Sequence, residues 1–532
     1  MNPPAGSRPL TGLSRRRFGT GILKAGLASL ALPSAFQQPG WAAAPSVLLG
    51  NRPEITHGVM SGDVTTDSAV IWSRTTRPAR MVVEWSLKET FRDARRIEGP
   101  VTGPEADFTA KTQLKGLPAG RRVFYRVRFE DRGSPGEAGP SASGQLLTAP
   151  RDRRNILFAW SGDTAGQGYG IDPAFGGMRT YASLHAAQPD FFVHSGDTIY
   201  ADGPLPAQIQ LPNGGTWRNE LSPEKSKVAE TLAEFRGNHR YNLQDPQVRD
   251  CYAHVPILAQ WDDHEVRNNW YPGQTLNEDS RYTEKSVDVL AAHARRAFLD
   301  YMPIRPSADP IIYRSVARGP LCDLFFLDLR SYRGPNGANR QPTRSRETDF
   351  MGGTQLGWLK QSMKASRALW KVVCTDMPLA LLVGDGVDRW EAWANGDHGV
   401  PLGRELEIAD LLAFLKANSI QNVIFLTADV HYAASHRYDP SRAKFTEFNP
   451  FWEFVSGPLH AMSLAAGTLD RTFGPEAVWA SRPAGSAASG PFSREQYFGT
   501  VGIDGRSGEL TVTHFDREGT RLNSTTLEAH AS

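Results

Sequence analysis

Four times between residues 156 and 431, a short apolar run stops abruptly in a cluster of acidic and polar side chains. The runs at 156–160, 191–194, 257–261 and 423–426 are rich in Ile, Leu, Val and Phe, as strands buried on both faces are. The clusters after them are Ser161-Gly162-Asp163, His194-Ser195-Gly196-Asp197-Thr198-Ile199-Tyr200, residues 262–269, and Asp429-Val430-His431. Further strands read at 324–327 and 370–375, with helices at 177–187, 287–301, 353–364 and 402–417 between the strands. This alternation is the α/β pattern. In open α/β sheets ligands bind outside the carboxyl ends of the strands, so the four clusters are expected to meet at one sheet edge.

The densest cluster lies in residues 260–270, Q-W-D-D-H-E-V-R-N-N-W, behind an apolar stretch at 253–259 that reads as a short buried strand. Desolvating several acids is costly unless a cation offsets it, and a hard metal ion suits such a set. The alternative is a solvated turn carrying an N-cap, a role open to any single acid after a strand. Four clusters with His and Tyr at short offsets fit that alternative poorly. Asp429 and His431, spaced i, i+2, can ligate from one loop, and Gly196 lets backbone approach closely.

Composition bounds the rest. Fifty-nine basic against 57 acidic residues, a formal net charge of +2, carry no nucleic-acid or membrane footprint. A 40% hydrophobic content with 13 Trp and 25 Phe describes a globular chain, and 532 residues allow two to four domains. No later segment approaches 18 uninterrupted apolar residues, so no transmembrane helix is expected. Residues 1–44 read as a twin-arginine signal peptide: Ser14-Arg15-Arg16-Arg17-Phe18, an apolar run at 19–32, and Ala42-Ala43-Ala44 as a cleavage site. That places the protein in the periplasm or outside the cell. The twin-arginine machinery carries proteins already folded, often around a cofactor, which again points to metal. Cys251, Cys322 and Cys374 form no CxxC motif, and no disulfide is expected.

Residues 50–149 hold only strand signals, at 69–72, 81–85 and 122–129, separated by turns, and read as a small β-sandwich. Leu114, Gly116, the Pro118 turn and Tyr125 resemble the fibronectin type III pattern. No chemistry-bearing motif occurs there, so a structural or positioning role is expected. The run T-A-P-R-D-R-R-N at 148–155 marks the boundary to a second domain at 154–532.

G-D-x-x-Y at 196–200, D-D-H-E-V-x-N-N at 262–269 and D-V-H-Y-A at 429–433, behind a strand-rich region and an export signal, resemble the alkaline phosphatase D family of calcineurin-like metallophosphoesterases. The resemblance covers essentially the whole chain after the signal. D-D-H-E-V-x-N-N is highly specific, whereas G-D-x-x-Y is shared with purple acid phosphatases. The resemblance implies a four-layer α/β (α+β) sandwich with an N-terminal all-β fibronectin/Ig-like domain, and a centre of two metal ions. Asp197 would bridge the ions, Tyr200 would place a phenolate on a trivalent one, and His431 would complete that side; Fe3+ suits such hard ligands. Asp429 and Asn268, or its neighbour Asn269, would serve an oxygen-ligated ion, Ca2+. Asn268 is the favoured ligand. The chain departs from the family's best-known members in carrying Asp163 where they have a Cys ligand to iron. Asp163 matches the first acid of the wider superfamily, and Mn2+ and Zn2+ become alternative occupants.

The activity implied is that of an exported metal-dependent alkaline phosphatase and phosphodiesterase, hydrolysing phosphate esters of small molecules or phospholipid through a metal-bound hydroxide. His264 is the catalytic candidate, protonating the leaving group or holding a phosphate oxygen; its other reading is to orient a ligand. Asp262 and Glu265 read as supporting groups and Asp263 as either ligand or support. His460, in W-E-F-V-S-G-P-L-H at 452–460, is a further polar contributor. The glycine-rich 166–170 lacks a Walker Lys and reads as a loop lining the site. Residues 390–398 are either a cleft rim or a surface loop. A serine hydrolase is excluded for want of G-x-S-x-G. The alternatives are a phospholipase D-like phosphodiesterase and a non-catalytic phosphate-binding surface protein.

Overall fold

A computed structural model describes residues 52–133, 137–307 and 311–530; the expected signal at 1–44 lies outside them. In the N-terminal part the strands Arg95–Thr102, Ala79–Ser86, Arg122–Asp131 and Ala142–Leu147 form an antiparallel sheet in that order. Arg122–Asp131 alternates as the pleat requires: Val123, Tyr125, Val127 and Phe129 are buried and their neighbours are more exposed. They pack on Val59, Ile71 and Leu114 from Ile55–Gly62, Ser68–Thr75 and Thr109–Lys115, which make the facing layer.

That facing layer does not stop at the sandwich. Ile55–Gly62 pairs in parallel with Ile257–Gln260 at Gly62, where a Cβ would lie 2.5 Å from the Ile257 carbonyl oxygen. Glycine is what permits this junction. The resulting nine-stranded sheet runs Arg521–Leu527, Leu510–Asp516, Tyr497–Ile503, Ile156–Ser161, Phe191–Ser195, Ile257–Gln260 and then the three N-terminal strands. A second sheet of seven strands runs Arg314–Ala317, Cys322–Phe326, Trp370–Cys374, Val423–Thr427, Phe451–Val455, Ala434–Tyr438 and Pro475–Ala480.

Phe158, Trp160, Val193 and Leu258 of the first sheet meet Phe326, Val372 and Leu426 of the second in one core. The outer face of the first sheet is covered by Arg179–Ala186, Leu232–Asn242, Pro246–His254 and Val287–Tyr301, through Tyr181, Phe235, Val248 and Phe298. Gly352–Ala365 and Glu405–Ala417 cover the second through Leu359 and Leu411. The chain is therefore a four-layer sandwich joined to an all-β N-terminal part. No helix among the described residues is long and apolar enough to cross a membrane.

Two local expectations change. Ala253 and His254 do not open a strand; they close the helix Pro246–His254, which the Asp245 carboxylate caps by accepting from the Gln247 and Val248 amides at 2.8 and 3.3 Å. The four polar clusters also do not share one sheet edge. Three follow neighbouring parallel strands of the nine-stranded sheet, and the fourth follows Val423–Thr427 in the facing sheet. Stacking the sheets is what brings their strand ends together.

The N-terminal part is bonded to this frame rather than tethered to it. Trp72, fully buried, donates from Nε1 to the Asp300 carbonyl at 2.8 Å, with its ring 5.6 Å from Tyr301. Asp107 accepts from Arg240 and Tyr301, and Arg314 pairs with Asp63 at 3.0 Å. Trp72→Ala should cost about 3–5 kcal/mol, read as a lowered denaturant midpoint with both parts unfolding in a single transition.

Candidate metal centre

Asp163, Asp197, Asp429 and His431 follow strand ends, and all four sit in the left-handed backbone region with φ between 52° and 67°. Such residues are individually uncommon, and strain gathered at one place is characteristic of functional sites. Asp163, Asp197 and His431 each bring a donor atom within 4.8 Å of the others. His431 Nε2 lies 3.6 Å from Asp163 Oδ1 and 3.0 Å from the Tyr200 hydroxyl. Ligands bonded at about 2.0–2.2 Å to one ion are roughly 3.0–3.6 Å apart, so these spacings fit one coordination sphere.

The tautomer fits as well. His431 Nδ1 faces the Met462 carbonyl, which can only accept, so Nδ1 carries the proton and Nε2 turns its lone pair to the cluster. Burial lowers its pKa to about 4 and keeps the ring neutral. Among the described residues, both carboxylate oxygens of Asp163, one of Asp262 and one of Asp263 are buried without a hydrogen-bond partner. Asp263 belongs to two further clusters, one with Asp197 and His264 and one with Asp262 and Asp429. Unpartnered oxygens and a neutral imidazole are what a hard or borderline cation requires.

Burial pushes the carboxyls of Asp163 and Asp197 well above the ordinary range; Asp263 and Glu265 add to this and His264 opposes it. Asp429 is raised by burial, then by Glu391 and Asp263. The Tyr200 phenol is raised by burial and by Asp197 and Asp163. Asp263 is lowered, because His264 and Arg330 outweigh its burial. For His264 burial opposes the charge, yet Asp202, Asp263 and Asp197 hold the imidazolium well above its usual pKa. Its Nδ1 bonds Asp202 at 2.7 Å and its ring stacks on Tyr200 at 4.2 Å, leaving Nε2 4.0 Å from Asp263 Oδ1.

The two asparagines sit in different surroundings. Asn268, the favoured ligand, is exposed and donates its backbone N–H to Asp202 Oδ2 at 2.8 Å. Asn269 is half-buried, with its N–H on Asp263 Oδ2 at 2.5 Å and Nδ2 on Asp385 at 3.1 Å. In this stretch the free buried oxygens belong to Asp262 and Asp263, and Arg330 occupies the other Asp262 oxygen. Asp263 Oδ1 is thus an oxygen this stretch offers in addition to the expected Asn268.

Glu265 ties two loops together. Its carboxylate accepts the amides of Asp197, Thr198 and Asp262 at 3.2, 2.6 and 2.8 Å, and the Thr198 hydroxyl at 2.7 Å. Gly196, at φ 106°, allows the close crossing, since a Cβ there would lie 2.5 Å from that of Asp262. His460 supports the Asp163 loop: its N–H donates to the Asp163 carbonyl at 3.0 Å, and its ring nitrogen bonds Gly170 O at 2.9 Å. Within 166–170, Gly166 abuts the Tyr200 ring. Residues 390–398 are neither rim nor surface loop at their centre, where Glu391, Trp393 and Asn395 are buried and Glu391 pairs with Arg330.

Sequence reading missed Asp202, Arg330 and Asp376. Arg330, fully buried, meets Asp262 at 2.6 Å and Asp376 at 3.5 Å. Asp376 follows the expected strand at 370–375, and Asp328, which accepts from Trp261 Nε1 at 2.9 Å, follows that at 324–327. Extending the strand-end rule to all six strands would have found both. Arg330 carries no local signal.

A family profile for PhoD-like phosphatases matches residues 158–514, and one for the N-terminal domain of PhoD-like phosphatases matches 41–150. Alkaline phosphatase D of Bacillus subtilis (strain 168) is 27% identical over 443 residues, spanning 78% of this chain and 71% of that protein. A solved structure of PhoD superposes with TM-score 0.66 at 20% identity, over 90% of this chain and 93% of the other. A purple acid phosphatase from yellow lupin (Lupinus luteus) seeds gives 0.52 at 12% identity, over 90% and 74%. At these identities the two structures bear on the fold.

Glu265→Ala should strand three buried amides, each costing roughly 1–3 kcal/mol. The expected result is a clearly lowered melting temperature together with reduced metal content after purification.

Proposed function

The chain belongs to the PhoD-like phosphatase family and is a phosphoric ester hydrolase; on that premise we propose that it is an exported, metal-dependent phosphatase and phosphodiesterase. Its substrates would be phosphate esters of small molecules or of phospholipid. The observation that carries this reading is the set of overlapping donor clusters that share Asp197 and Asp263.

Asp163, Asp197, Tyr200 and His431 form a set suited to Fe3+, because phenolate and carboxylate are hard ligands. Asp197, Asp263 and Asp429 offer oxygen alone, which suits Ca2+. Mn2+ and Zn2+ are the alternative occupants. When bound, such ions supply Lewis acidity to the phosphoryl oxygens and lower the pKa of water at the site.

The chain's own groups do the rest. His264, paired with Asp202 through Nδ1, offers Nε2–H to a phosphoryl oxygen and then a proton to the departing alkoxide. The stack on Tyr200 sets the plane of the imidazole, and Asp202 sets its tautomer. Glu265 keeps the Asp197 and Asp262 loops in register, and Arg330 offsets the charge of Asp262 behind them. The Ser14–Phe18 motif supports export to the periplasm or beyond.

Removing bound ions with a chelator should abolish hydrolysis of model mono- and diesters, and restoring them should bring it back. Full activity in ion-free protein would overturn the reading. His264→Ala should lower kcat by about 10²–10⁴, more on esters of poor leaving groups than on nitrophenyl esters. Tyr200→Phe should remove the visible charge-transfer colour expected of an iron phenolate. Replacing Arg15 and Arg16 together with Lys should leave the protein unprocessed in the cytoplasmic fraction.

A further inference from the structure

Asp385 lies 116 residues from Asn269 in sequence and bonds to it directly. It sits on a loop closed by the Gly384–Trp390 bridge and by its own N–H on the Arg389 carbonyl at 2.9 Å. Val387 at the loop's tip is 89% exposed. The Asp385 carboxylate accepts Asn269 Nδ2 at 3.1 Å and Asn336 Nδ2 at 2.9 Å, with Arg389 at 3.3 Å. Asn336 also donates from Nδ2 to the Asn269 carbonyl at 3.0 Å, while its Oδ1 accepts from Arg333 at 2.6 Å and Arg404 at 3.0 Å.

Asn269 is thereby held at both its side-chain amide and its carbonyl, in a left-handed conformation with φ 58°. Its remaining N–H goes to Asp263 Oδ2 at 2.5 Å, and Asp263 Oδ1 is left buried and unpartnered. A carboxylate with neither oxygen fixed can present either one in many orientations. One with an oxygen tied to a rigid amide presents the other in a single direction.

We propose that Asp385 is a positioning residue for the oxygen-ligated ion: through Asn269 it orients Asp263 so that Oδ1 is the atom offered to the cation. This rests on the reading of Asp263 as a ligand of that ion. Partners that orient a ligand from behind are typically worth 10–100-fold in metal affinity. Linkage is reciprocal, so binding the ion must also steady the loop that carries Asp385. The competing role is purely local, with Asp385 closing its own loop through Arg389.

The experiment uses the full processed protein with iron in place and the weaker ion removed, titrated with Ca2+ by calorimetry. Asp385→Ala should bind Ca2+ about 10–100-fold more weakly, regain activity at correspondingly higher Ca2+, and keep its iron colour and KM. Asp385→Asn, which retains the shape but offers one acceptor oxygen, should fall between it and the wild type, and serves as the variant if alanine lowers the melting temperature. Arg389→Ala should bind Ca2+ nearly as the wild type does. Hydrogen exchange at 384–390 should slow on Ca2+ addition in the wild type and respond less in Asp385→Ala. Wild-type Ca2+ affinity in both Asp385 variants, with weakened binding in Asp263→Asn, overturns the positioning role alone. Equal losses in Arg389→Ala and Asp385→Ala overturn it in favour of loop closure. Unchanged affinity in Asp263→Asn overturns the ligand reading and this role with it.

Discussion

Mutual repulsion among buried acids governs this structure. Asp163, Asp197, Asp262, Asp263 and Glu265 are all buried, and donor atoms of several of them lie within 4.8 Å of one another. At an effective dielectric of about 20, two like charges 4 Å apart repel by about 4 kcal/mol. A few uncompensated pairs would match the whole stability of a typical domain, about 5–15 kcal/mol. The chain offsets part of this itself: Arg330 answers Asp262, Glu391 and Asp376, three amides answer Glu265, and His264 answers Asp202 and Asp263. Among the described residues Asp163 and Asp197 have no such cationic partner beyond His264, and their carboxyls are held well above the ordinary range by burial. What remains uncompensated is the group of donor clusters that share Asp197 and Asp263.

The frame that tolerates such crowding is the pair of stacked sheets. Parallel strands deliver Asp163, Asp197 and Asp262 side by side from one sheet, while Asp376 and Asp429 arrive from the other. The core between the sheets, from Trp160 and Leu258 to Val372 and Leu426, fixes their separation. Left-handed turns at Asp163, Asp197, Asp429 and His431 reverse the chain directly at the strand ends. Each costs of order 1–3 kcal/mol, and bonds from neighbouring loops hold three of them: the Gly196 carbonyl and the His460 amide hold Asp163, the Thr164 amide holds Asp197 and the Leu464 amide holds His431. A second group of helices and loops, with Arg404 donating to the carbonyls of Trp390, Glu391 and Ala392, carries Glu391 to the back of the site.

Most of the fold was legible because its signals are local. The strands and helices beyond residue 156 announce themselves by apolar runs of the right length, and the strand-end acids by their abrupt polarity. Ala253 and His254, the end of the helix Pro246–His254, read as the start of a strand because the apolar residues after them blur the border, although Asp245-Pro246 is a helix-start signal. The clusters were expected on one sheet edge because strand order within a chain says nothing about which sheet a strand joins.

Residue chemistry alone determined that polar and acidic clusters follow the apolar runs, and that Asp163, Asp197, Tyr200, Asp429 and His431 lie in them. Those identities follow from polarity and spacing along a few residues. Tertiary structure decided which acid is free and which is occupied. Asp262, Asp263 and Glu265 look alike in D-D-H-E, yet Arg330 takes one oxygen of the first, an amide of Asn269 takes one oxygen of the second, and three backbone amides take the third. Their partners come from as far as 68 residues away. A carboxylate's role is set by what fills its second oxygen, and that depends on contacts no local pattern encodes.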